Sequence, residues 1–253
     1  MRRGSVALRR IKADLHVHSC LSPCADLDMS PREIMKTARR RGVDLIGLCD
    51  HNSAENIPAA KKAGEQAGVM VLGGMEVASS EEAHFLAFFD DDDELREFQE
   101  YVYQHLAGKN DPQAFGLQVV TDEEDGVTGF CDRLLIGATT LPAEQIVAKV
   151  RAARHESLVI AAHVDRESFS IIGQLGFIPP SLALDAVEIS SRITAADAKA
   201  RFFDCRNYPI ITGSDAHSPD DIGRSVMWFT VEDGTAGEIK KALAGRDSRK
   251  AEF

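Results

Sequence analysis

Short apolar runs alternate with amphipathic segments along the chain, the pattern left by parallel strands joined through helices. Ile11 to Val17 reads as a first strand. Ser30-Pro31-Arg32-Glu33 opens the next helix, with Ser as N-cap, Pro at N1 and Glu closing a capping box, and Gly42 ends it. Val43 to Cys49 predicts a second strand, Ile57 to Ala67 a helix stopped by Gly68, and Val69 to Met75 a third strand. Ala83 to Phe89 makes a fourth. An acidic first turn, Asp90 to Glu94, then starts a helix reaching about Leu106, where carboxylates suit the macrodipole. Between Gly108 and Leu141 the periodicity fades, and Leu117 to Val120 with Asp125-Gly126 suggest an inserted hairpin excursion. Regularity returns with helix Pro142 to Arg154, strands Leu158 to Ala162 and Ala186 to Ile189, and helix Thr194 to Phe203. Strands Pro209 to Thr212 and Ser225 to Val231 and a last helix from Thr235 complete the series. No internal repeat interrupts it.

At 253 residues the chain suits one large core, and α/β barrels commonly run to about 250 residues as one domain. No apolar run approaches the ~20 residues that cross a bilayer, so no membrane partner is expected. The start, MRRGSVALRRIKADLH, lacks a sustained apolar stretch, which argues against a cleaved leader and makes the cytoplasm the expected location. Five cysteines, an odd number, argue against a disulfide framework. Cys20, Cys49, Cys131 and Cys205 are read as packing residues. A net charge of −11 makes nucleic acid an unfavoured partner, because phosphate backbones are gripped by clustered Lys and Arg.

Mapped onto the elements, the histidines stop looking scattered. His16 and His18 close the first strand, His51 follows the second, His163 follows Ala162, and His217 follows the strand ending at Thr212. Glu76 and Asp215 sit at the same kind of position. In a parallel barrel the strand C-termini emerge on one face, so side chains far apart in sequence converge there. His84 opens its strand, but only seven residues separate it from Glu76, and a tight reversal brings it to the same rim. In His16-x-His18 and Asp215-x-His217 both side chains of a pair point to one face of extended backbone. Either pair alone is more often a packed or solvent-facing coincidence. Eight metal-competent groups beside strand ends have no such shared explanation, since burying them without cations is costly. His105 and His155, near predicted helix ends, are given no chemistry.

The motifs Asp14-Leu15-His16-Val17-His18-Ser19, Cys49-Asp50-His51-Asn52, Gly74-Met75-Glu76-Val77, Ala161-Ala162-His163 and Gly213-Ser214-Asp215-Ala216-His217 stand in an order and spacing that resemble the PHP family, named for polymerase and histidinol phosphatase domains. The resemblance covers nearly the whole chain. It implies an α/β fold, a distorted (β/α)7 TIM-like barrel with an insertion at 108–141, and a single catalytic domain over 1–253. It also implies two or three divalent ions of Mn, Zn or Fe and a water-derived nucleophile that attacks a phosphate ester. His16, His18, His51, Glu76, His84, His163, Asp215 and His217 match eight of the family's usual nine ligands, with Glu76, His163 and Asp215 as catalytic groups. The ninth departs from the pattern. Five or six residues past His18 stand Pro23 and Cys24, where the family often carries Asp or His; counting back from the helix start at Ser30-Pro31 puts Asp26 in that place. Asp26 is favoured over the Cys24 thiolate because the surrounding ligands are hard.

Arg166 and Arg192 are candidates to hold a substrate phosphate, and Asp50 and Asp165 to orient ligands. The expected function is metal-dependent hydrolysis of a small phosphomonoester or nucleotide. The alternatives are a metal-binding regulatory or scaffold domain without turnover, and an exonuclease-like activity on nucleic acid.

Overall fold

A computed structural model describes residues 7–253, so the start of the stretch on which the leader expectation rests lies outside the described residues. Among the described residues no helix is long and apolar enough to cross a membrane. Eleven strands form among the described residues: β1 (Arg9–Val17), β2 (Leu45–Leu48), β3 (Met70–Ala78), β4 (His84–Phe89), β5 (Val119–Thr121), β6 (Val127–Phe130), β7 (Ser157–Ala161), β8 (Ala186–Ile189), β9 (Ile210–Thr212), β10 (Met227–Val231) and β11 (Lys250–Glu252). Nine of them make one sheet in the order β11-β10-β1-β2-β3-β4-β7-β8-β9.

The direction of the strands decides where the chemistry falls. β1, β2 and β3 pair in parallel, as do β7, β8 and β9, while β4 runs against both β3 and β7. The sheet curls until the segment after β9 returns to β1. There Ala216 bridges Val17, the His18 N–H donates to the Ala216 carbonyl at 3.0 Å, and the Ala216 N–H donates to the His16 carbonyl at 3.2 Å. This is the expected distorted TIM-like barrel, with β4 reversed. β10, which pairs antiparallel with the first half of β1, and β11 extend the sheet beyond the curl.

Period-two alternation sorts the core into two faces. On β4, Phe85, Ala87 and Phe89 pack with residues of the helices Pro31–Arg40, Ile57–Ala67, Asp92–Gln104 and Ala143–Arg151. Leu86 and Phe88 face the other way, into a cluster that includes Ile239 and Ala242 of the last helix. Each fully buried Phe or Leu contributes about 1.5–3 kcal/mol, which is why apolar runs at these positions fix the strands. Local signals set the helix ends. Ile57–Ala67 stops at Gly68, whose φ of 69° is left-handed. In Pro31–Arg40 the Ser30 hydroxyl accepts the Glu33 N–H as expected, but the Glu33 carboxylate turns to Thr37 and Arg40 instead of closing the box.

The 108–141 excursion holds the short helix Pro112–Phe115 and the β5–β6 hairpin. Its turn falls at Asp125, with φ 71°, and Gly126, whose N–H donates to Asp122. Two asparagines moor it to the barrel rim. Asn52 donates to the carbonyls of Leu135 and Gly137, and Asn56 donates to that of Val119 while accepting the Thr121 N–H.

Candidate metal centre

His16 lies near the end of β1 and His18 just past it, His51 follows β2, Glu76 lies in β3, His84 opens β4, His163 follows β7, and Asp215 and His217 follow β9. Because β4 is antiparallel, Ala78 near the end of β3 stands opposite His84, so the reversal expected of this connection is present. The buried carboxylate of Glu76, 1% exposed, is the hub. Its Oε1 lies 3.4 Å from His16 Nε2, 3.0 Å from His84 Nδ1 and 3.1 Å from His163 Nε2. Its Oε2 lies 3.4 Å from His18 Nε2 and 3.0 Å from His51 Nδ1. Asp215 Oδ1 is 3.3 Å from Nε2 of both His16 and His18, and those two nitrogens are 3.2 Å apart.

These separations have a chemical meaning. Two donors each about 2.1 Å from one ion stand about 3.0 Å apart at a right angle and about 3.4 Å apart at the tetrahedral angle. The side chains therefore fit shared cations. Ligand atoms of His16, His18 and Asp215, of His51, Glu76 and His84, and of His18, His51 and His217 each lie within 4.8 Å of one another.

Hydrogen bonds on the far side of the rings set which nitrogen is free. His16 Nδ1 lies 2.9 Å from Glu188 Oε2, an acceptor, so it carries a proton and the ring turns Nε2 toward Glu76 and Asp215. The Ser22 hydroxyl donates to Asp50 Oδ1 at 2.7 Å, which leaves its oxygen to accept from His18 Nδ1 at 2.9 Å. His217 Nδ1 donates to the Asp215 carbonyl at 2.8 Å. In all three rings Nε2 is thereby left as the ligand atom. Replacing Asp50 with Ala removes the acceptor behind Ser22 and is expected to weaken metal binding about tenfold, measured by competition with a chromophoric chelator. Unchanged affinity would mean that the relay does not orient His18.

The charges reinforce the placement. Burial alone would raise the Glu76 pKa, but the imidazoles of His84, His16 and His51 hold it well below the usual carboxylate range. Asp215 is lowered by His16 and His18 against the same burial effect. His18 is pushed well below the ordinary histidine value by burial and by the neighbouring His217, so its ring stays neutral and able to ligate. Backbone strain gathers at the same place. His163, Asp215 and Asn52 have φ of 30°, 52° and 51°, in a region that side chains other than Gly enter at a cost of about 1–3 kcal/mol. Gly213 is required here, since a Cβ would lie 2.6 Å from Glu188 Oε1 and 2.7 Å from His16 Cβ.

The remaining expected residues divide. Arg166 is brought in, with Nη2 donating to Asp215 Oδ2 at 2.6 Å and the side chain still 39% exposed. Arg192 is exposed, and among the described residues its backbone N–H is engaged by the Ser190 hydroxyl while its guanidinium makes no hydrogen bond. Asp165 accepts the N–H and hydroxyl of Ser190 and so braces the loop after β7 onto the end of β8. The Asp26 side chain is exposed and makes no hydrogen bond among the described residues, whereas its N–H donates to the His217 carbonyl at 2.8 Å. Cys24 stands in the same loop, two residues before Asp26. Burial would raise its thiol, but His217 and His51 beside it bring the pKa down to about 7. The other four cysteines are buried and free.

Two contributors escaped sequence reading. Glu188, buried in β8, holds His16 and also accepts the His163 N–H at 3.1 Å. Phe169, with φ 60° and half exposed, stacks on His84 with ring centroids 5.1 Å apart.

A profile of the PHP domain matches residues 14–131, and one described as PHP-associated matches residues 197–246. Phosphoribosyl 1,2-cyclic phosphate 1,2-diphosphodiesterase of Eggerthella lenta is 36% identical over 66 residues, covering 26% of this chain and 24% of the relative. A 5'-3' exoribonuclease of Haemophilus influenzae is 35% identical over 69 residues, covering 27% of this chain and 24% of the relative. The matches thus span about a quarter of each relative's length. Among solved structures, a lesion-specific endonuclease from Pyrococcus furiosus superimposes over 96% of this chain and 58% of its own, with a TM-score of 0.71 and 24% identity, a likeness of fold.

Proposed function

Given that the chain belongs to the PHP domain family of metal-dependent phosphoesterases, we propose that it hydrolyses a small phosphomonoester or nucleotide. In this reading His16, His18, His51, Glu76, His84, His163, Asp215 and His217 hold two or three divalent ions. The observation that carries it is the ring of five imidazole nitrogens 3.0–3.4 Å from one buried carboxylate, a spacing suited to shared cations. The mixture of imidazole and carboxylate suits Mn, Zn or Fe. When bound, such ions lower the pKa of water toward neutrality and neutralise phosphoryl oxygens.

The chain's own groups supply the positioning. Glu76 and Asp215, held ionised, fix the charge balance of the centre, and His163 rests its Nε2 on Glu76 at 3.1 Å. Arg166 is tethered by Asp215 with donors left for a phosphoryl oxygen, a charge-assisted contact that favours phosphate over neutral esters. Arg192 supplies a second cation if the substrate extends toward the end of β8.

A small substrate is favoured over a polymer by charge. The net charge is −11, and a cleft of about 620 Å³ beside the loop after β1 is walled by Asp28, Glu33 and Asp125 with apolar Leu27, Val127 and Phe130. The test is a screen with Mn2+ of p-nitrophenyl phosphate and nucleoside monophosphates beside an end-labelled single-stranded oligonucleotide. Phosphate release from the small esters with the strand intact is the expected result. Cleavage of the strand alone moves the substrate to nucleic acid, and turnover of neither leaves a metal-binding regulatory domain.

A further inference from the structure

We propose that the ring of Phe169 is a stacking platform for a planar ring in the leaving group of the substrate, presented by the same loop as the Arg166 guanidinium that takes the phosphoryl end. The inference rests on the reading that the centre hydrolyses a small phosphate ester, and it goes beyond it by naming the class of ester: one whose alcohol carries a nucleobase or another flat unsaturated ring.

A single exposed apolar side chain is ordinary on a protein surface, so exposure alone assigns nothing. Phe169 differs because it is held in place at the metal centre. Its ring lies on that of His84, with centroids 5.1 Å and planes 22° apart, and His84 Nδ1 is 3.0 Å from Glu76 Oε1. That contact occupies one face of the ring, yet Phe169 stays 50% exposed. The residue reaches this position with φ at 60°, a left-handed backbone that Gly or Asn enters cheaply and a bulky aromatic does not. Neighbouring bonds enforce it. The Phe169 carbonyl accepts the His84 N–H at 3.1 Å, and the buried Ser170 that follows donates its hydroxyl to the Arg166 carbonyl at 2.6 Å while accepting the Gly173 N–H at 2.9 Å.

The same closed loop fixes Arg166, whose N–H donates to the His163 carbonyl at 2.9 Å and whose Nη2 donates to Asp215 at 2.6 Å. A cation suited to phosphate and a flat apolar face thus stand three residues apart, both braced on residues of the centre. An ester held by the ions and Arg166 has its leaving group within reach of Phe169. An aromatic face recognises flat π-systems by offset stacking and offers a bare sugar phosphate little.

Adenosine 5'-monophosphate and ribose 5-phosphate differ only in the base, so the ratio of their kcat/KM values with Mn2+ reads the platform and cancels any effect on the ions. The wild type is expected to favour the nucleotide by about tenfold, in the range of one base stacked on an aromatic side chain. Phe169→Leu keeps apolar bulk at the same backbone position, and is expected to bring the ratio to near unity through KM, whereas Phe169→Trp retains it. A residue that merely supports His84 would lower both substrates alike. A Phe169→Leu protein that keeps the wild-type ratio therefore overturns the platform even if both activities fall, and so does a wild type without preference. Where neither ester is hydrolysed, the reading as a small-ester hydrolase falls separately, and the same ratio measured as affinity by equilibrium dialysis against the Mn2+-loaded full chain decides the platform. A preference for the nucleotide that Phe169→Leu loses supports it; equal binding, or binding of neither, overturns it.

Discussion

Replacing Glu76 with Gln is expected to lower kcat/KM by on the order of 10³-fold and to strip most of the bound metal. An amide is neutral, and one of its two ends donates instead of accepting. Oε1 serves His16, His84 and His163 while Oε2 serves His18 and His51, so either orientation of the amide turns a donor toward ligand nitrogens. Both groups of ligands lose their shared anion at once. Ions clamping a transferring phosphoryl group stabilise the transition state by several kcal/mol. At about 1.4 kcal/mol per tenfold, the loss of that clamp reaches the thousandfold range. A chelator is expected to reproduce the effect in the wild type, with added metal reversing it, which separates loss of the ion from damage to the fold. Elemental analysis beside turnover is the measurement. A Glu76→Gln protein with full metal content and activity within tenfold of the wild type would remove Glu76 from the centre.

How much of this could be read from the chain depends on whether the cause was local. Helix Ile57–Ala67 and strand β8 fall where the periodicity put them, because Gly68 and a short apolar run are local signals. The eight motif residues meet because each sits beside a strand end, and strand ends share a rim. The reversal of β4 was legible from the five residues between it and β3, too few for a crossover helix. Long-range causes left no local trace. Glu188 is a lone acid in the apolar run Ala186–Ile189, and its partner His16 lies 172 residues away. The pairing of β10 with β1 joins the two ends of the barrel sequence, and nothing at Met227 indicates it. Counting residues back from Ser30 placed Asp26 at the centre, but the loop is governed by the Asp26 N–H bond to His217 and the turn at Ser22, which no spacing reveals. The hairpin in the insertion was marked by Asp125-Gly126, whereas its mooring by Asn52 and Asn56 follows two ordinary surface-type residues that the fold buries.

Glu188 carries the second large effect, since two ligands lean on it. Its carboxylate accepts from His16 Nδ1, which aims Nε2 at Glu76 and Asp215, and it accepts the backbone N–H of His163, whose φ of 30° needs such a restraint. Carboxylates behind metal-binding histidines are typically worth 10–100-fold in metal affinity or activity. With two ligands affected, Glu188→Ala is expected at the upper end, about 100-fold weaker in metal binding and similarly reduced in kcat/KM. Glu188→Gln can keep a carbonyl oxygen at the Oε2 position, which receives both His16 Nδ1 and the His163 N–H, but it loses the negative charge and the second acceptor at Oε1 beside His16, and is expected to fall about tenfold. This graded order distinguishes positioning from simple support of the fold, because a merely structural defect would lower the melting temperature of both variants without separating their metal affinities. Titration against a chromophoric chelator, read beside the thermal midpoint of each stripped protein, decides the matter. Metal affinity in Glu188→Ala within twofold of the wild type would show that His16 and His163 hold their places without it.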